Sequence, residues 1–89
     1  MKPRTLARYI ERKLGCGKLF LSADDNDGQY IFSTKMGRII GLIDRGDYYD
    51  LHDMHNPEDQ PGKPTAQILK GKKLRIQWTT KSGEVKNEH

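Results

Sequence analysis

Residues 18–53, KLFLSADDNDGQYIFSTKMGRIIGLIDRGDYYDLHD, carry glycines at 28, 37 and 46, nine residues apart and mostly in polar surroundings between apolar runs. Turn residues at that regular spacing predict a β-meander. Residues 19–23 alternate Leu19, Leu21 and Ala23 against Phe20 and Ser22, and Asp24 to Gly28 forms a hairpin connection whose glycine takes the positive-φ position. Residues 30–34 supply the return strand. Residues 38–43 are apolar on both faces, which predicts a central strand with one side covered by a helix. Gly41 inside it is expected to mark close approach of that helix. Arg45-Gly46-Asp47 reads as a second hairpin turn and leads into residues 48–53, where Tyr49 and Leu51 alternate with Tyr48, Asp50 and His52.

Upstream, Pro3 suits a first helical turn and Gly15 with Gly17 supplies the stop, so residues 3–14 read as a helix. Leu6, Ala7, Ile10 and Leu14 form its apolar stripe, and Arg4, Arg8 and Arg12 stack on the other side as an arginine ridge. Glu11 lies within one turn of Arg8 and is expected to pair with it. Downstream, residues 54–65 contain Pro57, Pro61 and Pro64 and read as a long exposed loop. Strands follow at 66–69 and 72–80, then a turn at 81–83, an edge strand at 84–86 and a frayed tail. The expected architecture is a single α+β domain over residues 1–89. An N-terminal helix packs on a curved antiparallel meander of five to seven short strands, bent toward a small, partly open barrel.

Eighty-nine residues leave room for one domain. Leu, Ile, Val and Phe number only 18, so the core is thin, and a homo-oligomer or a partner could complete it. No stretch approaches the about 20 apolar residues of a membrane helix, and no apolar leader follows the N-terminus. With one cysteine, Cys16, the expected setting is reducing and cytoplasmic. Cys16 follows a helix C-terminus, where the dipole disfavours the thiolate, so no nucleophilic role is expected. The net charge of +4 divides unevenly: residues 1–20 carry +5, residues 21–62 carry −6 and residues 63–89 carry +5. Basic ends raise the expectation of a polyanionic partner.

The first candidate site is therefore the cationic set Arg4, Arg8, Arg12, Lys70, Lys72, Lys73 and Arg75. Guanidinium forks match phosphate oxygens, and three on one ridge track a backbone over about 12 Å. Trp78 shares its face with Leu74 and Ile76 and is expected in the core, leaving Tyr48 and Tyr30 as candidate stacking platforms for bases. The second candidate is the acidic middle with the proline loop: Tyr48, Asp50, His52, Asp53, His55, Glu58 and Asp59. It is expected to bind a protein if the chain is an inhibitor or adaptor of the kind phages and mobile elements encode. Asp50, His52 and His55 would serve a small metal-dependent or acid–base ribonuclease, but their spacing matches no metal signature, and no metal is assigned. The run from Asp24 to Gly28 fails the register of a calcium loop, because Ala23 and Thr34 fall where carboxylates are needed. No phosphate-binding loop, dinucleotide fingerprint or hydrolase elbow occurs, and no cofactor is expected. The leading expectation is a small non-catalytic binding or regulatory protein that contacts nucleic acid, RNA or DNA; the alternative is capture of a host protein.

Overall fold

The computed structural model describes residues 2–79. Helix α1 (Pro3–Leu14) precedes six strands: β1 (Phe20–Asp24), β2 (Gln29–Ser33), β3 (Ile39–Asp44), β4 (Tyr48–Asp53), β5 (Ala66–Leu69) and β6 (Arg75–Trp78). All pair antiparallel in one sheet whose spatial order is the chain order. The fold is α+β, as expected. The sheet is open, however, and does not bend closed into a barrel, for among the described residues β1 and β6 each pair on one side only. The space that closure would need is occupied by α1, which packs on β1 and whose Tyr9 lies beside Ile76 in β6. The turn at 81–83 and the strand at 84–86 lie outside the described residues.

Local chemistry explains the element ends. Pro3 sits in the first turn of α1, where a missing N–H costs nothing. Gly15, at φ 60°, closes the helix with its N–H on the Glu11 carbonyl at 2.8 Å. In the β1–β2 turn, Asp24 accepts the N–H of Asn26, and Asp25 accepts those of Asp27 and Gln29. Two carboxylates of the aspartate run are thus committed to the backbone. Gly28 has φ 89°, and a Cβ there would stand 2.8 Å from the Asp44 Cβ, so a side chain is excluded twice over.

The registers Phe32↔Ile40, Tyr30↔Leu42, Leu42↔Leu51, Tyr49↔Ile68 and Ile68↔Ile76 build one continuous apolar face. Leu6, Ala7, Ile10 and Leu14 of α1 cover it, as the helix stripe predicts, and Tyr9 joins them. Leu74, Ile76 and Trp78 pack at its border, while Arg75 and Gln77 stay exposed. Of the expected inward set on β1, only Leu19, just ahead of the strand, is buried. Leu21 remains 46 % exposed, because β1 is an edge strand and a bulge between Leu21 and Ala23 breaks its alternation.

Two expectations change on the opposite face of the sheet. Gly41 lies there, paired with Ile31 and His52, and a Cβ on it would meet Ile31 Cδ1 at 3.7 Å and His52 Cβ at 3.9 Å. These are ordinary contacts, so approach of the helix is not what places glycine at this position. Residues 54–65 are exposed at Met54, His55, Pro57 and along 60–63, but the rest folds back onto β4. Asn56 and Asp59 make tight turns, Gln60 and Lys63 form a short bridge, and the Asp59 carboxylate reaches His52 Nδ1 at 3.1 Å. The Thr65 hydroxyl donates to Asp59 at 2.8 Å, and that of Thr79 donates to the Pro64 carbonyl.

Candidate functional site

The cations are best followed outward from α1. Arg4 and Arg12 are exposed, but Arg8 is not a free member of a ridge. Its Nη1 pairs with Glu11 at 3.0 Å, the pairing expected from their spacing, and its Nη2 donates to the Leu19 carbonyl at 3.1 Å. Glu11 in turn accepts the Leu19 N–H at 2.6 Å, so the pair clips the chain entering β1 to the helix. Arg8 Nε is buried without a partner. Arg12 and Lys13 lie 6.0 and 5.5 Å from the centroid of the Tyr9 ring, near β6, whereas Arg4 and Arg8 face β1. The expected ridge is therefore split between the two edges of the sheet.

Between α1 and β1 runs a groove of about 920 Å³. Its floor and walls are Pro3, Ala7, Leu19, Leu21 and Phe32, with Phe20 at the mouth, and its charged lining consists of Lys2, Arg4, Arg8 and Lys18. Among the described residues no carboxylate lines it. Lys18 Nζ sits 5.5 Å from the centroid of the Phe20 ring, which is 41 % exposed. Lys2 and Lys18 were not singled out from the sequence. They lie sixteen positions apart and converge only because β1 doubles back along the helix.

The second basic segment also divides. Lys70 pairs with Asp44 at 2.7 Å and lies 4.5 Å from the Tyr49 ring centroid, so it braces β3 against β5. Lys72 and Lys73 are exposed in the β5–β6 turn, with Arg75 exposed on the face away from the helix. The Lys70 ammonium, joined by the Gly46 N–H, holds the Asp44 carboxyl below its usual range, and Asp44 raises Lys70 above the ordinary lysine value. The lowered carboxyl stabilises the fold above the ordinary carboxylate range and loses that effect as acid protonates it; the raised ammonium stabilises below the ordinary lysine range and loses it in alkali. Lys70→Ala should thus lower stability by about 0.2 to 1 kcal/mol at neutral pH, a half-exposed pair being weakened by solvent. The deficit should vanish at both pH extremes in urea titrations, and one that is independent of pH would refute the assignment.

The acidic middle is arranged differently from its expected exposed face. Asp50, His52 and Asp53 are all buried. Asp50 accepts from Arg45 at 2.9 Å and Gln67 at 3.2 Å; His52 is held by Asp59; Asp53 forms a two-pronged pair with Arg38 at 2.6 and 3.3 Å. Asp53 is opposite Ile40 and so lies on the helix face, where parity places it but where a carboxylate needs the guanidinium. The sequence alternation was read correctly, but the covering of the outer face by Arg45 and the 54–65 loop was not. Glu58 is half-buried and His55 exposed, the latter using its N–H on Asp53. Asp50, His52 and His55 are not joined by any hydrogen bond in the structure, and among the described residues no three His, Cys, Asp or Glu side chains converge to hold a metal. Tyr48 is half-buried, and Tyr30 leans on Phe32 with centroids 6.3 Å apart, so neither is an open platform. Cys16 packs beside the core, and burial pushes its thiol up.

No helix among the described residues is long and apolar enough to cross a membrane. Neither the sequence nor the fold matches a protein-family model, a curated protein or a solved structure.

Proposed function

We propose that this protein is a non-catalytic binding module that holds the phosphates of a nucleic acid. The observation that carries the reading is the groove between α1 and β1, where Lys2, Arg4 and Lys18 gather from two separate segments beside Arg8, whose charge is shared with Glu11, and no carboxylate is found among the described lining residues. Clustered cations focus a polyanion and release its condensed counterions, whereas scattered solubilising charge has no reason to converge. Arg12, Lys72, Lys73 and Arg75, exposed toward the far edge, add to the attraction. The rival reading, a protein contact made by the acidic middle, is weakened because the carboxylates of Asp50, Asp53 and Asp59 are engaged by the internal partners Arg45, Arg38 and His52.

The test is fluorescence anisotropy with labelled single-stranded RNA, duplex RNA and duplex DNA across a salt series. Arg4→Ala with Lys18→Ala should reduce the slope of log K against log salt by about one to two units with the fold intact. Absence of binding to all three at low salt, or an unaltered slope in the double variant, would defeat the proposal.

A further inference from the structure

Resting on the phosphate-binding reading, we infer that the groove between α1 and β1 selects single-stranded over duplex nucleic acid and does so without reading base identity. The cations alone do not ask for this, since duplex phosphates would satisfy them. The apolar lining does. Leu21, 46 % exposed and opposite Phe32, faces the groove from the edge strand, and Phe20, 41 % exposed and opposite Ser33, borders its mouth from the other face of that strand; between Leu21 and the helix the groove descends to Phe32, which is fully buried.

A duplex keeps its bases stacked inside and presents sugar and phosphate to such a surface, leaving the apolar lining in contact with charge and water. A single strand has faces to offer: its unstacked bases gain by lying against aromatic and aliphatic side chains, while its phosphates remain within reach of a cationic rim. Arg4, Lys2 and Lys18 supply that rim around an opening whose volume is within the range of ligand-sized sites. Charge complementarity excludes a cationic occupant, and the mix of exposed ring and cation at Phe20 and Lys18 suits base and phosphate together.

Indifference to sequence follows from what the lining lacks. Base identity is read by hydrogen bonds to base edges, which calls for amides, hydroxyls or free guanidinium forks placed inside. Among the described residues no Asn, Gln, Ser, Thr or Tyr lines the groove, the fork of Arg8 is already used on Glu11 and Leu19, and the fork of Arg4 stands at the exposed rim rather than inside. Contact with the face of any base serves equally well.

The experiment uses the whole chain with fluorescein-labelled oligo(dT), oligo(dA) and a DNA duplex, all of twelve nucleotides per strand, at near-physiological salt. Single strands should bind about ten-fold or more tightly than the duplex, with oligo(dT) and oligo(dA) within about three-fold of each other. Leu21→Ser and Phe20→Ser, both on the exposed edge and checked by circular dichroism, should each weaken the single strands about five-fold and the duplex less than two-fold. Amide chemical shifts of Ala7, Leu19 and Leu21 should move with the single strand. Equal binding of duplex and single strand, equal losses for both in the serine variants, or a preference above ten-fold for one base would overturn the inference while leaving phosphate binding standing. Loss of all binding would remove both. Displacement of the single strand from the groove by an anionic amphiphile such as laurate, with tighter affinity, would overturn it in favour of a lipid-like ligand.

Discussion

Phe32→Ala should bring the protein close to unfolding. Phe32 has no exposed surface and sits in β2 on the helix-facing side of the sheet, opposite Ile40 and beside Tyr30. Truncating a fully enclosed phenylalanine costs about 3 to 5 kcal/mol, the lost transfer energy being compounded by the cavity left behind. A chain of 89 residues has about 4 to 13 kcal/mol of total stability, so the loss removes from about a quarter to all of it. Urea unfolding followed by the fluorescence of Trp78, the single tryptophan, provides the measurement. The matched control is Met36→Ala: Met36 is 94 % exposed in the β2–β3 turn, and its change should stay within about 0.5 kcal/mol. A Phe32→Ala loss under 1 kcal/mol would mean that α1 does not cover this face.

The next largest effect is expected at the pair joining Arg38 to Asp53. Asp53 keeps 5 % of its side-chain surface, accepts two guanidinium N–H groups and takes the N–H of His55 besides. Its hydrogen bond is the main reason why Arg38 is held above the ordinary arginine range. Asp53→Ala strands the guanidinium beside the core and frees the His55 N–H. Removing one member of an enclosed pair costs about 3 to 5 kcal/mol; because Arg38 keeps 22 % of its surface in water, a loss of about 2 to 3 kcal/mol is expected. Arg38→Met with Asp53→Leu should recover more than half of that loss, since apolar side chains of similar size leave no charge uncompensated. If the single and double variants are equally unstable, the pair is not the source of the cost.

The parts of the fold that were legible from the sequence are those decided by neighbours in the chain. Pro3, Gly15 and the spacing of Leu6, Ala7, Ile10 and Leu14 specify α1, and the turns at Gly28 and Gly46 specify two hairpins, because caps, periodicity and positive φ act over a few residues. Parity along β4 also assigned its faces correctly. What escaped is what depends on distant segments. Nothing near His52 announces that Asp59 will return to it across a proline-containing loop, and nothing near Arg38 marks Asp53 until the β3–β4 register sets them together. The groove is hidden for the same reason: the charge of a stretch of chain says nothing of Lys2 and Lys18, which are neighbours only in space, and its apolar lining joins helix residues to a strand that alternation alone would bury.

The arrangement in which every strand pairs with the next one in the chain also governs how the molecule forms. Short-range pairing keeps contact order low, so little loop entropy is lost before each contact begins to stabilise the next, and the hairpins can assemble on a scale of about microseconds each. The exception is the packing of α1 across the finished sheet face, with Tyr9 reaching the neighbourhood of Ile76, which joins the first described element to the last. A contact of that sequence separation is completed late, after the sheet exists to receive it, so it slows escape from the folded state more than it hastens arrival.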